Sequence, residues 1–116
     1  MDTLRVLVVD DEEGIRMAVE RALRSFVVRL PDLGQEFGLA IEQAGSGEEA
    51  ETAIHKNLPD LLLLDYKMPG MSGMDLMDRL NAEGIGIVTI VITAYASLEA
   101  AVAATKRGGF DFLAKP

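Results

Sequence analysis

With 116 residues the chain has room for one compact domain and none for a second. Its 11 lysines and arginines stand against 19 aspartates and glutamates, and the net charge of -8 opposes non-specific attraction to DNA or to anionic lipid, so neither direct nucleic-acid binding by this segment nor membrane attachment is expected. Cysteine is absent, which excludes a disulfide framework and a thiolate metal site, and the start MDTLRVLVVDDEE has neither a basic leader nor a run long enough to span a membrane; a cytoplasmic protein resting on its apolar core is expected.

The first apolar run, Leu4 to Val9, ends at Asp10 and Asp11. Ile15, Val19, Ala22, Leu23 and Phe26 then recur at helical offsets along one stripe. The segment Phe26 to Gly38 (FVVRLPDLGQEFG) is longer than a compact helix-to-strand connection, and Pro31 and Gly34 interrupt any helix, so about 27–38 is expected to be an extended helix end followed by a loop. A weaker apolar run, Leu39 to Ile41, marks the second strand. Ser46 followed by Glu49 has the spacing of a capping box and opens a second helix, late in which His55 reads as a solvated surface residue.

Leu61 to Leu64 form the third run and end at Asp65. Gly70 and Gly73 serve the turn into a third helix opened by Ser72 and Asp75 and closed by Gly84, while Met68, Met71, Met74 and Met77 read as core or contact filler. The fourth run, Ile85 to Ile92, ends at Thr93; a fourth helix closes at Gly108, and Phe110 to Ala114 end at Lys115. The chain stops at Lys115-Pro116, where a closing fifth helix would be expected. One sheet face is then short of cover, and self-association into a homodimer is one expected remedy. Strand and helix alternate throughout, so the fold class is α/β, a doubly wound, five-stranded parallel sheet whose ligands collect beyond the carboxyl ends of the strands.

Those ends carry Asp10, Asp11, Asp65, Thr93 and Lys115, which converge on one rim. Three carboxylates there repel one another by about 3–4 kcal/mol per close pair at an effective dielectric near 20. A hard divalent cation, Mg2+ or Mn2+, relieves this with oxygen ligands and leaves a place for a phosphoryl oxygen. Lys115 meets a second phosphoryl oxygen as a point charge and Thr93 donates to a third, which leaves Asp65 as the nucleophile. An ionised aspartate needs no general base.

The blocks VLVVDDEEGIR, LLLLDYKMPGMSGMDLM, VITAYAS and GGFDFLAKP resemble, in order, the signatures of response-regulator receiver domains, and the resemblance covers nearly the whole chain. It implies a flavodoxin-like strand order 2-1-3-4-5 and phosphorylation of Asp65 by a sensor histidine kinase or phosphotransfer protein. It further implies Asp11 and Asp65 as direct metal ligands, Asp10 largely through water, and Lys67 through its backbone carbonyl. Thr93 and Lys115 would bind the phosphoryl oxygens, and Thr93 and Phe112 would form the conformational switch, with Phe in place of the more frequent Tyr. The Lys115-Pro116 peptide falls where the family usually has a cis bond. Ile15 and Pro116, apolar and near the rim, are expected to dock the kinase helix, and Lys67 and Tyr95 to tune hydrolysis. The stretch VITAYASLEAAVAATKRGGFDFLAKP resembles receivers of the nitrogen-regulator type, which precede an ATPase and a DNA-binding domain. The expected role is a phosphorylation-controlled switch that catalyses only its own phosphoryl uptake and loss, rather than an enzyme. Three alternatives are weighed beside it. An aspartyl-nucleophile phosphatase expects an Asp-x-Asp motif that is missing, a nucleotide-binding module expects a Gly-rich first loop where this one is acidic, and a non-phosphorylated interaction receiver would not need all five rim groups.

Overall fold

The structure is a computed structural model and describes residues 2–93, 106–108 and 111–114, with the backbone alone at 93 and 111–114. In chain order the elements are β1 (Asp2–Val9), α1 (Glu13–Leu23), β2 (Val27–Leu30), a 3-10 turn (Pro31–Leu33), β3 (Gln35–Ala44), α2 (Gly47–Lys56), β4 (Leu61–Asp65), α3 (Gly73–Ala82), β5 (Val88–Thr93) and β6 (Asp111–Ala114). They form one sheet of order β2-β3-β1-β4-β5-β6. The run β3-β1-β4-β5-β6 is parallel throughout and is the expected order of five strands, with β1 and β4 flanking the point where the order reverses.

The sixth strand is a departure from expectation. Residues 27–38 are not a helix end followed by a loop: β2 pairs antiparallel with the start of β3, from Val27 opposite Gly38 to Leu30 opposite Gln35. Val27 and Val28 favour extended backbone, Pro31 opens the turn, and Gly34 closes it at φ +62°, a conformation that a side chain would resist. Helix α1 therefore stops at Leu23, and Phe26 leaves the predicted stripe with 55% of its surface exposed.

Strand alternation divides the core. Leu7, Val9, Leu62, Leu64 and Val91 face α2 and α3, where they pack with Ala50, Ile54, Leu76, Met77 and Leu80. Val6, Val8 and Leu63 face α1, against Val19 and Leu23 as well as Ile90 and Ile92. No residue of α1 is fully buried. Met68, Met74 and Met77 are core, as their spacing suggests.

The ends of α3 show why the element lies where it does. Ser72 Oγ accepts from Asp75 N at 3.1 Å while Asp75 Oδ2 accepts from Ser72 N at 3.0 Å, a complete capping box. At α2 only half of the box forms, Ser46 Oγ accepting from Glu49 N. At the other end of α3, Gly84 takes φ +72°, its N–H reaches Asn81 O, and Ile85 N–H reaches Leu80 O. Ile85 is thus spent on closing the helix, which is why the apolar run from Ile85 gives a strand only from Val88. The expected fourth helix falls largely at residues 94–105, outside the described residues, as do Tyr95 and the Lys115-Pro116 peptide.

Candidate functional site

Parallel register sets the site. Val9 lies beside Leu64 and Asp65 beside Ile92, so the residues at the ends of β1, β4 and β5 share one edge of the sheet. Carboxylate oxygens of Asp10, Asp11 and Asp65 all lie within 4.8 Å of one another. Asp10 and Asp65 are only 3% and 5% exposed, whereas Asp11 is exposed. Asp10 is therefore not a solvated helix start. Its Oδ1 accepts from Glu12 N at 3.0 Å and turns the chain into α1, which has no side-chain cap of its own.

Two buried carboxylates and one exposed carboxylate, each offering an oxygen within 4.8 Å of the others, make a hard, oxygen-only donor set. That fits a small divalent cation better than a soft or nitrogen-preferring one.

Helix α3 approaches the site more closely than any side chain would allow. A Cβ on Gly73 would stand 2.1 Å from the Asp65 carbonyl oxygen, and Gly73 N donates to Tyr66 O at 3.0 Å. Gly47 likewise leaves room for Met71, which a Cβ would meet at 2.8 Å. Ile15, Val19 and Ile92 line a small cavity together with Asp10 and Asp65, so Ile15 does stand at the edge of the acidic site.

Lys67 is exposed, two residues beyond Asp65. Thr93 is the last residue of β5, paired with Ala114, and Phe112 lies on β6 beside Val91. The side chains of Thr93 and Phe112, and Lys115 and Pro116 altogether, lie outside the described residues.

Two features escaped the sequence reading. Arg16 donates from Nη1 to the Asp10 carbonyl at 2.7 Å and from Nε to Gln43 Oε1 at 3.2 Å. Its only signal was a lone cation one turn beyond an acidic loop. His55 is exposed as expected but touches Glu83 Oε2 at 2.6 Å, and with Glu51 it makes a second cluster, on α2 and the end of α3. There the bidentate pairing of Arg79 with Glu51, at 2.6 and 2.9 Å, already supplies the positive charge.

The model of the response regulator receiver domain matches residues 6–116. The chain belongs to that family. Its receiver relatives include the DNA-binding transcriptional regulator NtrC of Salmonella typhimurium, 37% identical over 111 residues that are 96% of this chain and 21% of the relative. The sporulation initiation phosphotransferase F of Bacillus subtilis is 32% identical over 112 residues, 97% of this chain and 82% of that protein. Among solved structures, the receiver domain of the Francisella response regulator 1452 superposes with a TM-score of 0.84 at 27% identity, covering 98% of this chain and 85% of that one. The chain thus spans about a fifth of the NtrC proteins but most of the Bacillus subtilis phosphotransferase. Among the described residues no helix is long and apolar enough to cross a membrane.

Proposed function

We propose that this receiver takes a phosphoryl group onto Asp65 from the phosphohistidine of a sensor kinase or phosphotransfer protein and relays it as a change of conformation. The observation that carries the reading is the trio itself: a buried aspartate at the end of β4, within 4.8 Å of two more carboxylates at the end of β1. An Asp65 carboxylate oxygen attacks phosphorus as the P–N bond to the donor imidazole breaks. The electron pair leaves with the imidazole, and an acyl phosphate remains on Asp65. Asp11 and Asp65 would ligate Mg2+ (or Mn2+) directly, Asp10 largely through water, and Lys67 through its carbonyl. When bound, the cation offsets the charge of the carboxylates and of the incoming phosphoryl group.

Thr93 and Lys115 are assigned to the phosphoryl oxygens, the pair Thr93 and Phe112 to the switch, and Ile15 and Pro116 to docking of the donor helix. The position of Ile15 on the cavity shared with Asp10 and Asp65 supports that last assignment. The whole protein is proposed to act in the cytoplasm on an output domain or partner, with transcription among the outputs, and to self-associate as a homodimer.

The test is incubation with a small phosphodonor and Mg2+. Intact mass should rise by one phosphoryl group, the gain should vanish with chelator and in Asp65→Asn, and it should persist in His55→Ala. Steady turnover of free phosphoesters without a trapped adduct would instead favour a phosphatase.

A further inference from the structure

We propose that Arg16 is a positioning residue for the acidic site: it clamps the Asp10–Asp11 peptide against the end of β3 and so sets Asp11 at cation-binding range of Asp65. The inference rests on the reading of Asp10, Asp11 and Asp65 as a cation site.

Asp11 is the exposed member of the trio and sits in the turn between β1 and α1, where a free loop would let its short side chain swing away. Three of the points that hold the turn set its course. Asp10 N donates to Ala44 O at 3.2 Å, and Asp10 Oδ1 accepts from Glu12 N at 3.0 Å. The third point is the Asp10 carbonyl, held by Arg16 Nη1 at 2.7 Å. That carbonyl belongs to the peptide joining Asp10 to Asp11, so this bond fixes the plane from which Asp11 projects.

A clamp must itself be anchored. Arg16 Nε donates to Gln43 Oε1 at 3.2 Å on β3, and the guanidinium lies over Gly45, where a Cβ would stand 3.3 Å from Nη1. Glu49 Oε2 approaches the same point from α2, 3.2 Å from that Cβ position. The guanidinium therefore spans from β3 to the β1–α1 turn with two donors in fixed relation. A lysine ammonium has no such fork.

Charge and position make opposite predictions. A cation close to the trio, acting through charge alone, would weaken divalent-cation binding, and its removal would strengthen it. As a clamp, its removal weakens binding.

Mg2+ affinity of the chain is measured by calorimetry, and the Mg2+ concentration for half-maximal phosphoryl uptake is measured alongside it. Arg16→Met should weaken Mg2+ binding about 10-fold, the range seen when groups that orient metal ligands are removed. The half-saturating Mg2+ for uptake should rise by the same factor. Arg16→Lys should recover only part of the loss, and Gln43→Leu, which frees the anchor and keeps the Asp10 contact, should also bind Mg2+ more weakly than the parent, by a smaller factor than Arg16→Met. Arg21→Met, which removes the same charge from an exposed position of α1, should bind as the parent does. Affinity of Arg16→Met equal to or above that of Arg21→Met overturns the clamp, and so does full affinity in Arg16→Lys. If Arg16→Met fails to fold, Arg16→Lys and Gln43→Leu decide the question. A parent chain that binds Mg2+ but takes up no phosphoryl group would overturn the proposed function alone, because the clamp is read from the affinity ratios.

Discussion

Gly73 contributes no side chain, yet it decides how close α3 comes to the end of β4. With 2.1 Å between a would-be Cβ and the Asp65 carbonyl oxygen, and Leu64 Cγ only 3.2 Å away, Gly73→Ala must push α3 outward or bend the end of β4. Overpacking of this kind costs about 1–3 kcal/mol, which a urea midpoint will show. Gly14, in the first turn of α1, has nothing within 4 Å of its Cβ position and no left-handed backbone. Gly14→Ala should be neutral or stabilising by up to about 1 kcal/mol in the same titration. The contrast shows what was legible at this scale. Asp10, Asp11 and Asp65 could be read from the sequence because they stand at or just beyond the ends of apolar runs, and parallel strands bring such ends together. Arg16 and Gly73 could not, because their partners are main-chain oxygens of Asp10 and Asp65 that only the folded register delivers.

At the scale of elements, the punctuation was legible and the pairing was not. Ser72, Asp75 and Gly84 bracket α3 as their spacing indicated, since capping is settled within a few residues. Ser72→Ala should cost about 1 kcal/mol of unfolding free energy, read by chemical denaturation. The Ser72 main-chain N–H, then its hydroxyl, hold the Asp75 carboxyl below the usual carboxylate range, and Arg79 does the same to Glu51 through its bidentate hydrogen bonds. Carboxyls depressed in the fold bind protons more readily when unfolded. Their stabilisation is therefore complete above the ordinary carboxylate range and is lost as pH falls through their depressed values. Glu51→Gln should accordingly flatten the acid limb of the stability-versus-pH curve relative to the parent. The hairpin of β2 and β3 was missed for a different reason. Pro31 and Gly34 mark a break in any helix in either reading, and whether Val27–Leu30 folds back on Gln35–Gly38 depends on β3 offering a free edge, which is a property of the sheet.

For the whole molecule, a parallel, doubly wound sheet was readable because strands and helices alternate, while the order of its strands was implied by the family resemblance. The antiparallel edge strand was outside that logic. The proposed cation site would make the fold's stability respond to the ion. A cation that binds only the folded chain stabilises it by mass action, by about 2.7 kcal/mol at a hundred times its dissociation constant. The thermal midpoint should therefore climb with Mg2+. Asp65→Asn should blunt the response to the ion, and so should Asp11→Asn. Calorimetric scans across a Mg2+ series check both.

The identity of the phosphoacceptor is open to direct chemical reading. Borohydride reduces an aspartyl phosphate to homoserine, so the chain is treated with a small phosphodonor and Mg2+, reduced, digested and sequenced by mass spectrometry. Homoserine at position 65 and nowhere else is the predicted result. Conversion at Asp10 or Asp11, or a phosphoryl group stable to borohydride on another residue type, would contradict it.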